Sequence, residues 1–599
     1  MSNILDQLDT SLSEALDKFL SENKYAEALH AVEDNKYNSS LLNNCSDAIA
    51  VVMKYLTEDN YNSRSEVYDV AETILKVIAK KSKEEEALFE FMEIVETTKS
   101  DNVFMSALKS LQICLLRQKQ NKARSLEWCL NSIQSYISEL PFPEDMKRKL
   151  DSEEEKLLEQ GDDVQRILTN YFTLFLFYEP VLDSLVTNPT IQPFRNVNIT
   201  RKNVLGCFIL QLLGPPLAYL DLSEPVDKSL TNTYSRQCAE SIVRHFTKLF
   251  PDPYFLLPYA ERRIRWPIKS RPSAAGVYED APKDIFVIEE KVPLLAVGVL
   301  YYLMFAENLI PLNAPTVYTE LHLFESSLYL ICEMFKSNEN MIHYKALLLT
   351  SALLDRFGSE RIPSGSLDLN VHQIFCEELI RIISQTQIKR NSQKGSQLIK
   401  KYILQFDEDG RMVLIKNLLT VTTHNGLVGY FITIYKDMVS EALNSSETEI
   451  STHFSGSELK SLTLQRICVL PKGSETDLLQ NSDAIICALN MIRYLSIRDK
   501  NNRTNFWDWV RDVEQQFLAP LRVGLDMTRA HYKLEEKRVQ DGTDDKSVDV
   551  ELSVSGESLP VMSQEYKLQM IASAMNTFEM MESLLSRVNE CVDSVKRKF

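Results

Sequence analysis

Glycine and proline are scarce in this chain. Its 599 residues hold 16 Gly and 21 Pro, against usual shares of about 7% and 5%. So few turn-formers exclude a large sheet built from hairpins, and no long stretch alternates with period two around a glycine-rich turn. Long helices with short connections are the expectation that remains. Basic charge is also short: 66 Lys and Arg stand against 84 Asp and Glu, a net of −18. The deficit is steepest at the start, where residues 1–170 carry 20 basic and 32 acidic residues, a net of −12; Pro471 to Phe599 carries 17 and 21, a net of −4. Contacts to nucleic-acid phosphates need clustered Lys and Arg, so no nucleic acid is expected as a partner. The acid excess reads either as a soluble surface or as long-range attraction of a basic partner.

Paired cysteines are missing too. Ten cysteines are scattered without a CxxC, many among apolar residues, as Cys207 is in VLGCFIL. They read as buried thiols of a reducing compartment. The first residues, MSNILDQLDTSLSEALDKF, lack the basic start and apolar core of a signal peptide. The most apolar run, Val292 to Ala306, has fifteen residues and contains Pro293, whereas a membrane span needs about twenty. A buried helix and no membrane insertion are expected. The cytoplasm is the expected location, with the nucleus left open.

Enzyme motifs are absent as well. There is no phosphate loop, no GxGxxG, no HExxH and no GxSxG elbow. His372 and Cys376 stand four apart, a spacing that two metal ligands on a helix share. No partner cluster accompanies them, so a structural role is the better reading. Gly426 and Gly429 flank two apolar residues and suit a turn or close packing. Glu289 and Glu290 precede an apolar helix, whose N-terminus favours negative charge. No catalysis, cofactor or metal is expected.

What is present is helical periodicity. Leu5, Leu8, Leu12, Leu16 and Phe19 form one stripe, Val67, Val70, Ile74, Val77 and Ile78 another, and Leu108, Leu111, Cys114 and Leu115 a third. Segments of about 12 to 20 residues joined by brief polar turns predict antiparallel helix pairs. Stacked pairs bury a continuous core, so the fold class expected is all-α, an irregular HEAT-like helical-repeat solenoid in two halves. Asp151 to Asp163, seven acids in thirteen residues, predicts an exposed helix or linker. YFTLFLFY (Tyr171 to Tyr178) is apolar on every side and predicts full enclosure. Pro258, Pro267, Pro272 and Pro282 collect beside Arg262, Arg263, Arg265 and Trp266. That concentration predicts an N-terminal helical-repeat domain at 1–265, a boundary at 266–290 and a C-terminal HEAT-like domain at 291–599.

The chain is organised around Leu470 to Leu495, LPKGSETDLLQNSDAIICALNMIRYL. A short acidic loop with Glu475 and Asp477 leads to a helix that Asn481 or Ser482 can cap. Ile485, Leu489, Ile492 and Leu495 share one face of it. Phe506-Trp507-Asp508-Trp509 opens a further helix. Leu534 to Pro560 is polar and Asp-rich, with Val548, Val550, Leu552 and Val554 alternating as an extended segment would. Ser563 to Lys598 predicts a last long helix with Leu568, Ile571, Met575, Phe578, Met581, Leu585 and Val588 as its core stripe. Tyr566, Met570, Met580 and Leu584 fall on a neighbouring face about a third of a turn away. Either Leu534 to Pro560 folds back over that face, or it is a partner site suited to flexible Met side chains.

The order and wording of LPKGSETDLLQNSD, LNMIRYLSIRD, FLAPLRVGLDMTRAHY and VSGESLP, with TTHNGLVGYF (Thr422 to Phe431) before them, resemble the glomulin family. The resemblance is dense from Leu470 to Val592 and thin before Trp266. It implies an inhibitor of cullin-RING ubiquitin ligases that binds the RING-box subunit, with its cullin, through the C-terminal half. Such an inhibitor masks the surface that the ubiquitin-conjugating enzyme uses. It also implies contact with an FK506-binding-protein-type immunophilin and with a growth-factor receptor. The partner-binding residues expected are Glu475, Asp477, Met562, Tyr566, Met570 and Met580. A helical-repeat adaptor for assembly or transport, without ligase inhibition, is the alternative that the N-terminal half alone would allow.

Overall fold

The computed structural model describes residues 11–119, 122–141, 160–187, 199–225, 232–265, 285–445, 450–541, 553–554, 557–558 and 564–596. Leu5, Leu8, most of Asp151 to Asp163, Trp266, Val548 to Leu552 and Met562 lie outside them. The fold is all-α, of the helical-repeat class. The sole strands among the described residues are two of two residues each, Ser553–Val554 paired antiparallel with Glu557–Ser558. Among the described residues no helix is long and apolar enough to cross a membrane.

The chain divides into two compact units. One comprises Met1–Gly358 with Val371–Leu398, the other Ser359–Asn370 with Ile399–Phe599. The boundary expected at 266–290 falls largely on residues outside the described ones. The helices on either side of it pack together. Helix Leu257–Arg265 before the segment packs on Glu320–Phe335 after it, and Arg201–Gln211 packs on Leu294–Phe305. Arg263 Nη1 donates to the Val292 carbonyl at 2.7 Å, and Arg265 lies over the Tyr329 ring at 5.6 Å. Proline interrupts a helix by removing an N–H; it does not interrupt a core assembled by the helices on either side.

In the first unit, Ser65–Lys81, Glu84–Thr97, Asp101–Arg117 and Lys122–Ser138 pack successively. The expected stripes face inward: Val67, Ile74, Ile78, Leu108, Leu111 and Cys114 are buried. Helix Leu294–Phe305 is buried along almost its whole length, and Tyr301 inside it donates to the Pro253 carbonyl at 3.0 Å. Glu289 Oε1 accepts from the Leu294 N–H at 3.1 Å, so its carboxylate serves the start of that helix. His372 and Cys376 are buried in the core. The histidine ring lies 6.3 Å from that of Phe324, and burial pushes its pKa down to about 4. Eight of the ten cysteines are buried.

YFTLFLFY is not fully enclosed, because Leu176 is 69% exposed. Helix Asp162–Thr187 contains Pro180, which has no N–H to offer the carbonyl four residues back, that of Leu176. Gln112 Nε2 supplies the missing donor at 2.8 Å and also reaches the Phe177 carbonyl at 2.7 Å. The helix thus keeps its course past the proline with a side chain from a neighbouring helix closing the gap.

In the second unit, His453 bridges two carboxylates, Nε2 to Asp409 at 2.6 Å and Nδ1 to Glu458 at 2.9 Å. Burial of the ring opposes its charge, but its hydrogen bonds to Glu458 and Asp409 outweigh burial and raise its pKa above the ordinary value. A histidine raised in the folded state stabilises fully below its unfolded pKa of about 6.5 and ceases to do so as pH rises through the folded value. This unit is therefore expected to weaken as pH rises from below about 6.5 through the raised folded value, and His453→Gln to flatten that dependence. Denaturant titrations of both proteins across that rise measure it. An identical pH difference in the variant would reject the assignment.

Candidate protein-binding surface

Helix Ser482–Arg498 is the centre of the second unit. It packs against Asn425–Asn444 on one side and the last helix, Gln564–Lys596, on another. Ile485, Leu489, Ile492 and Leu495 are all buried, as their spacing predicts. The approach to Asn425–Asn444 is close because Gly429 has no side chain. A Cβ there would lie 2.9 Å from the Asp483 carbonyl oxygen. The Phe506, Trp507 and Trp509 rings cluster with centroids 5.1 and 5.3 Å apart. Trp507 Nε1 donates to the Asp499 carbonyl at 2.7 Å. The buried Asp499 carboxylate takes the N–H groups of Arg503 and Thr504 at 2.7 and 2.9 Å.

Helix Ala519–Gln540 begins at a π-turn, Glu514–Leu518. Ala519 N–H reaches five residues back to the Glu514 carbonyl, and Pro520 follows at the start of the helix. A residue without an N–H cannot continue the regular ladder, and the wider turn absorbs the break. This helix runs antiparallel to the last one. Arg529 pairs with Glu582, the Tyr532 and Phe578 rings meet edge-on at 5.2 Å, and Gln564 Nε2 donates to the Val539 carbonyl at 2.6 Å.

The acidic loop is held by its own backbone. Thr476, nearly buried, donates from Oγ1 to the Gly473 carbonyl at 2.8 Å and accepts from the Lys472 N–H at 3.0 Å. Asp477 Oδ1 accepts from the Leu479 and Gln480 N–H groups, both at 3.0 Å. Asn481 precedes the central helix, but its side chain makes no capping bond there. Its Nδ2 donates to the Asp477 carbonyl at 2.8 Å instead. Asp477 thus organises the turn in addition to presenting a charge. Tyr532 lies near enough to Asp477 that burial first, and that carboxylate second, raise its pKa.

The loop rests on Gly524. A Cβ there would lie 2.9 Å from the Ser474 carbonyl oxygen, a backbone atom that cannot rotate away. Gly524→Val is expected to destabilise the second unit by about 1–3 kcal/mol, the usual cost of overpacking. Hydrogen exchange should accelerate in 472–481. A stability change under about 0.5 kcal/mol would show that the loop yields without cost.

The expected partner-binding residues are placed as follows. Glu475 and Asp477 are exposed on the loop. Tyr566, Met570 and Met580 are each about half exposed on the last helix, while Phe578, Met581, Leu585 and Val588 face inward. Met562 lies outside the described residues. Tyr566 and Met570 are one turn apart. Met580 is fourteen residues from Tyr566, roughly 21 Å along a helix, with Ser573 and Thr577 on the strip between. The exposed apolar surface is thus a pair and an outlier, with polar residues separating them.

A second strip was not anticipated from sequence. Val523, Met527 and Leu534 on helix Ala519–Gln540 are 50 to 55% exposed. Their spacings of four and seven put them on one face, which was the legible signal. The abundance of charge around them hid it. Both helices thus leave apolar side chains in water among charged ones, a mixture that protein contact surfaces share.

Comparison with known proteins agrees in extent with these elements. The family model described as "Uncharacterised protein family, YAP/Alf4/glomulin" matches residues 8–574. Glomulin from Homo sapiens is 26% identical over 580 residues, covering 96% of this chain and 91% of that protein. Glomulin from Mus musculus is 26% identical over 578 residues, covering 94% and 90%.

Proposed function

This chain belongs to the YAP/Alf4/glomulin family, and from that premise we propose that it is a protein-binding inhibitor of cullin-RING ubiquitin ligases. It holds the RING-box subunit and covers the face needed by the ubiquitin-conjugating enzyme, without chemistry of its own. One observation carries the reading. The stretches with the densest family resemblance, LPKGSETDLLQNSD and FLAPLRVGLDMTRAHY, are those that build the acidic loop and the helix bearing Val523 and Met527. The resemblance therefore falls on a surface as well as on a core.

The test is discharge of ubiquitin from its conjugating enzyme by a purified cullin-RING ligase, with increasing amounts of the full chain. Inhibition should be relieved by more conjugating enzyme, because the two compete. Tyr566→Ala should weaken inhibition by about tenfold while leaving helix content unchanged, as expected of an exposed aromatic anchor. Glu475→Gln should act mainly on association rate and at low salt. Inhibition that persists at saturating conjugating enzyme would reject masking.

A further inference from the structure

Helix Glu84–Thr97 of the first unit turns Leu88, Phe91 and Val95 into the core but leaves Phe89 51% exposed. Helix Lys122–Ser138, packed beside it, likewise buries Leu126, Cys129 and Leu130 and leaves Trp128 44% exposed. The two exposed rings meet each other, with centroids 5.6 Å apart and planes tilted by 37°. Aromatic rings carry a large apolar area that is ordinarily taken into a core or an interface. Here one ring from each helix shares the outer face, so the apolar surface is joined and not scattered.

The border of the pair is acidic. Helix Glu84–Thr97 holds six glutamates and no lysine or arginine. Glu86 pairs with Lys83 at 3.1 Å and Glu84 lies 4.0 Å from Arg117; among the described residues Glu93 is in no ion pair. Glu93 and Glu96 are exposed and follow Phe89 by four and seven residues, on its side of the helix. Ser132, four residues beyond Trp128, donates from Oγ to Glu96 at 3.4 Å. The two helices therefore run parallel, and both acids stand past the rings in one direction. Lys122 and Arg124, the bases of the second helix, precede Trp128 and so stand at the other end.

We propose that this face docks an extended basic segment of a partner protein, with one apolar side chain on the Phe89 and Trp128 rings and basic side chains on Glu93 and Glu96. Charge complementarity selects that occupant. Residues 1–170 carry 20 basic and 32 acidic residues, a net of −12, which draws a basic segment and repels an acidic membrane or nucleic-acid surface. Spacing selects its form. Glu93 and Glu96 lie about 6 and about 10 Å from Phe89 along the helix axis. An extended chain advances about 3.3 Å per residue and puts alternate side chains on one face. Basic residues two and four positions after the apolar one, about 7 and about 13 Å from it, therefore reach the two acids.

Calorimetry on the full chain tests this with a capped peptide that carries Leu-Ser-Arg-Ser-Arg between flanking serines. It should bind at about 1 mM or tighter, and less well as salt rises. Replacing its leucine by serine, or both arginines by glutamate, should weaken binding by about tenfold. Trp128→Ser and, separately, Glu93→Lys in the protein should each weaken it by about tenfold; circular dichroism confirms that both variants fold. Glu93→Lys should also gain affinity for the glutamate peptide, which a merely structural role would not produce. Four results would overturn the proposal: no binding of the arginine peptide at about 5 mM, equal binding of the glutamate peptide by the parent, equal binding of the arginine peptide by parent and both variants, or self-association in sedimentation that Trp128→Ser abolishes, which would assign the rings to a second copy of the chain.

Discussion

Glu307→Ala is expected to destabilise the first unit by about 3–5 kcal/mol. Arg236 is 2% exposed. Its Nη1 meets Glu307 Oε2 at 2.7 Å and its Nε meets Glu240 at 2.8 Å. Nη1 also donates to the Leu222 carbonyl at 2.9 Å, and Nη2 to the Glu307 carbonyl at 3.2 Å. The Glu307 carboxylate further accepts from the Tyr302 hydroxyl at 2.7 Å and the Glu224 N–H at 2.9 Å. Removing it leaves a buried guanidinium facing one partly exposed acid, and it strands the Tyr302 hydroxyl. A pair replaced together by apolar residues could be neutral; a pair broken on one side is not. Glu307→Gln keeps the acceptor without the charge and should cost less. Two compact units need not unfold together, so hydrogen exchange in 234–249 is the suitable measurement. A loss below about 1 kcal/mol would mean that the guanidinium finds water when its partner goes.

Phe578→Ala is the second large effect, expected to cost about 3–5 kcal/mol in the other unit. Phe578 is fully buried and meets the Tyr532 ring edge-on at 5.2 Å. It joins the last helix to helix Ala519–Gln540, on which the acidic loop rests at Gly524. Its removal should loosen the last helix together with Tyr566 and Met570, so ligase inhibition should fall with stability. Tyr566→Ala should reduce inhibition alone. If Phe578→Ala lowered stability but left inhibition intact, the last helix would not belong to the proposed surface. The comparison separates residues that position the surface from residues that compose it.

Much of the second unit was legible in the chain because a buried helix face repeats every three or four residues. Ile485, Leu489, Ile492 and Leu495 declared their face, as did Phe578, Met581, Leu585 and Val588, whereas Leu568, Ile571 and Met575 of the same expected stripe are only partly buried. The loop's acids were legible as charge but not as structure. Whether Asp477 bonds to backbone depends on the turn it sits in, and the pattern LPKGSETD does not state that turn. Leu176 shows the converse limit. Its apolar neighbours implied enclosure, while its 69% exposure reflects which side of the helix was left unpacked.

By itself the sequence determined that this is an all-helical chain of the glomulin family, because periodicity, scarce turn-formers and collinear wording are local properties. It also determined which helix faces are core. Only the tertiary structure decided where the chain divides. Local composition marks a break in secondary structure, as the prolines after Leu257 do, but a unit is defined by which distant helices share a core. Helix Leu257–Arg265 found its neighbours at Val292 and at 320–335, and no feature of the intervening prolines records that.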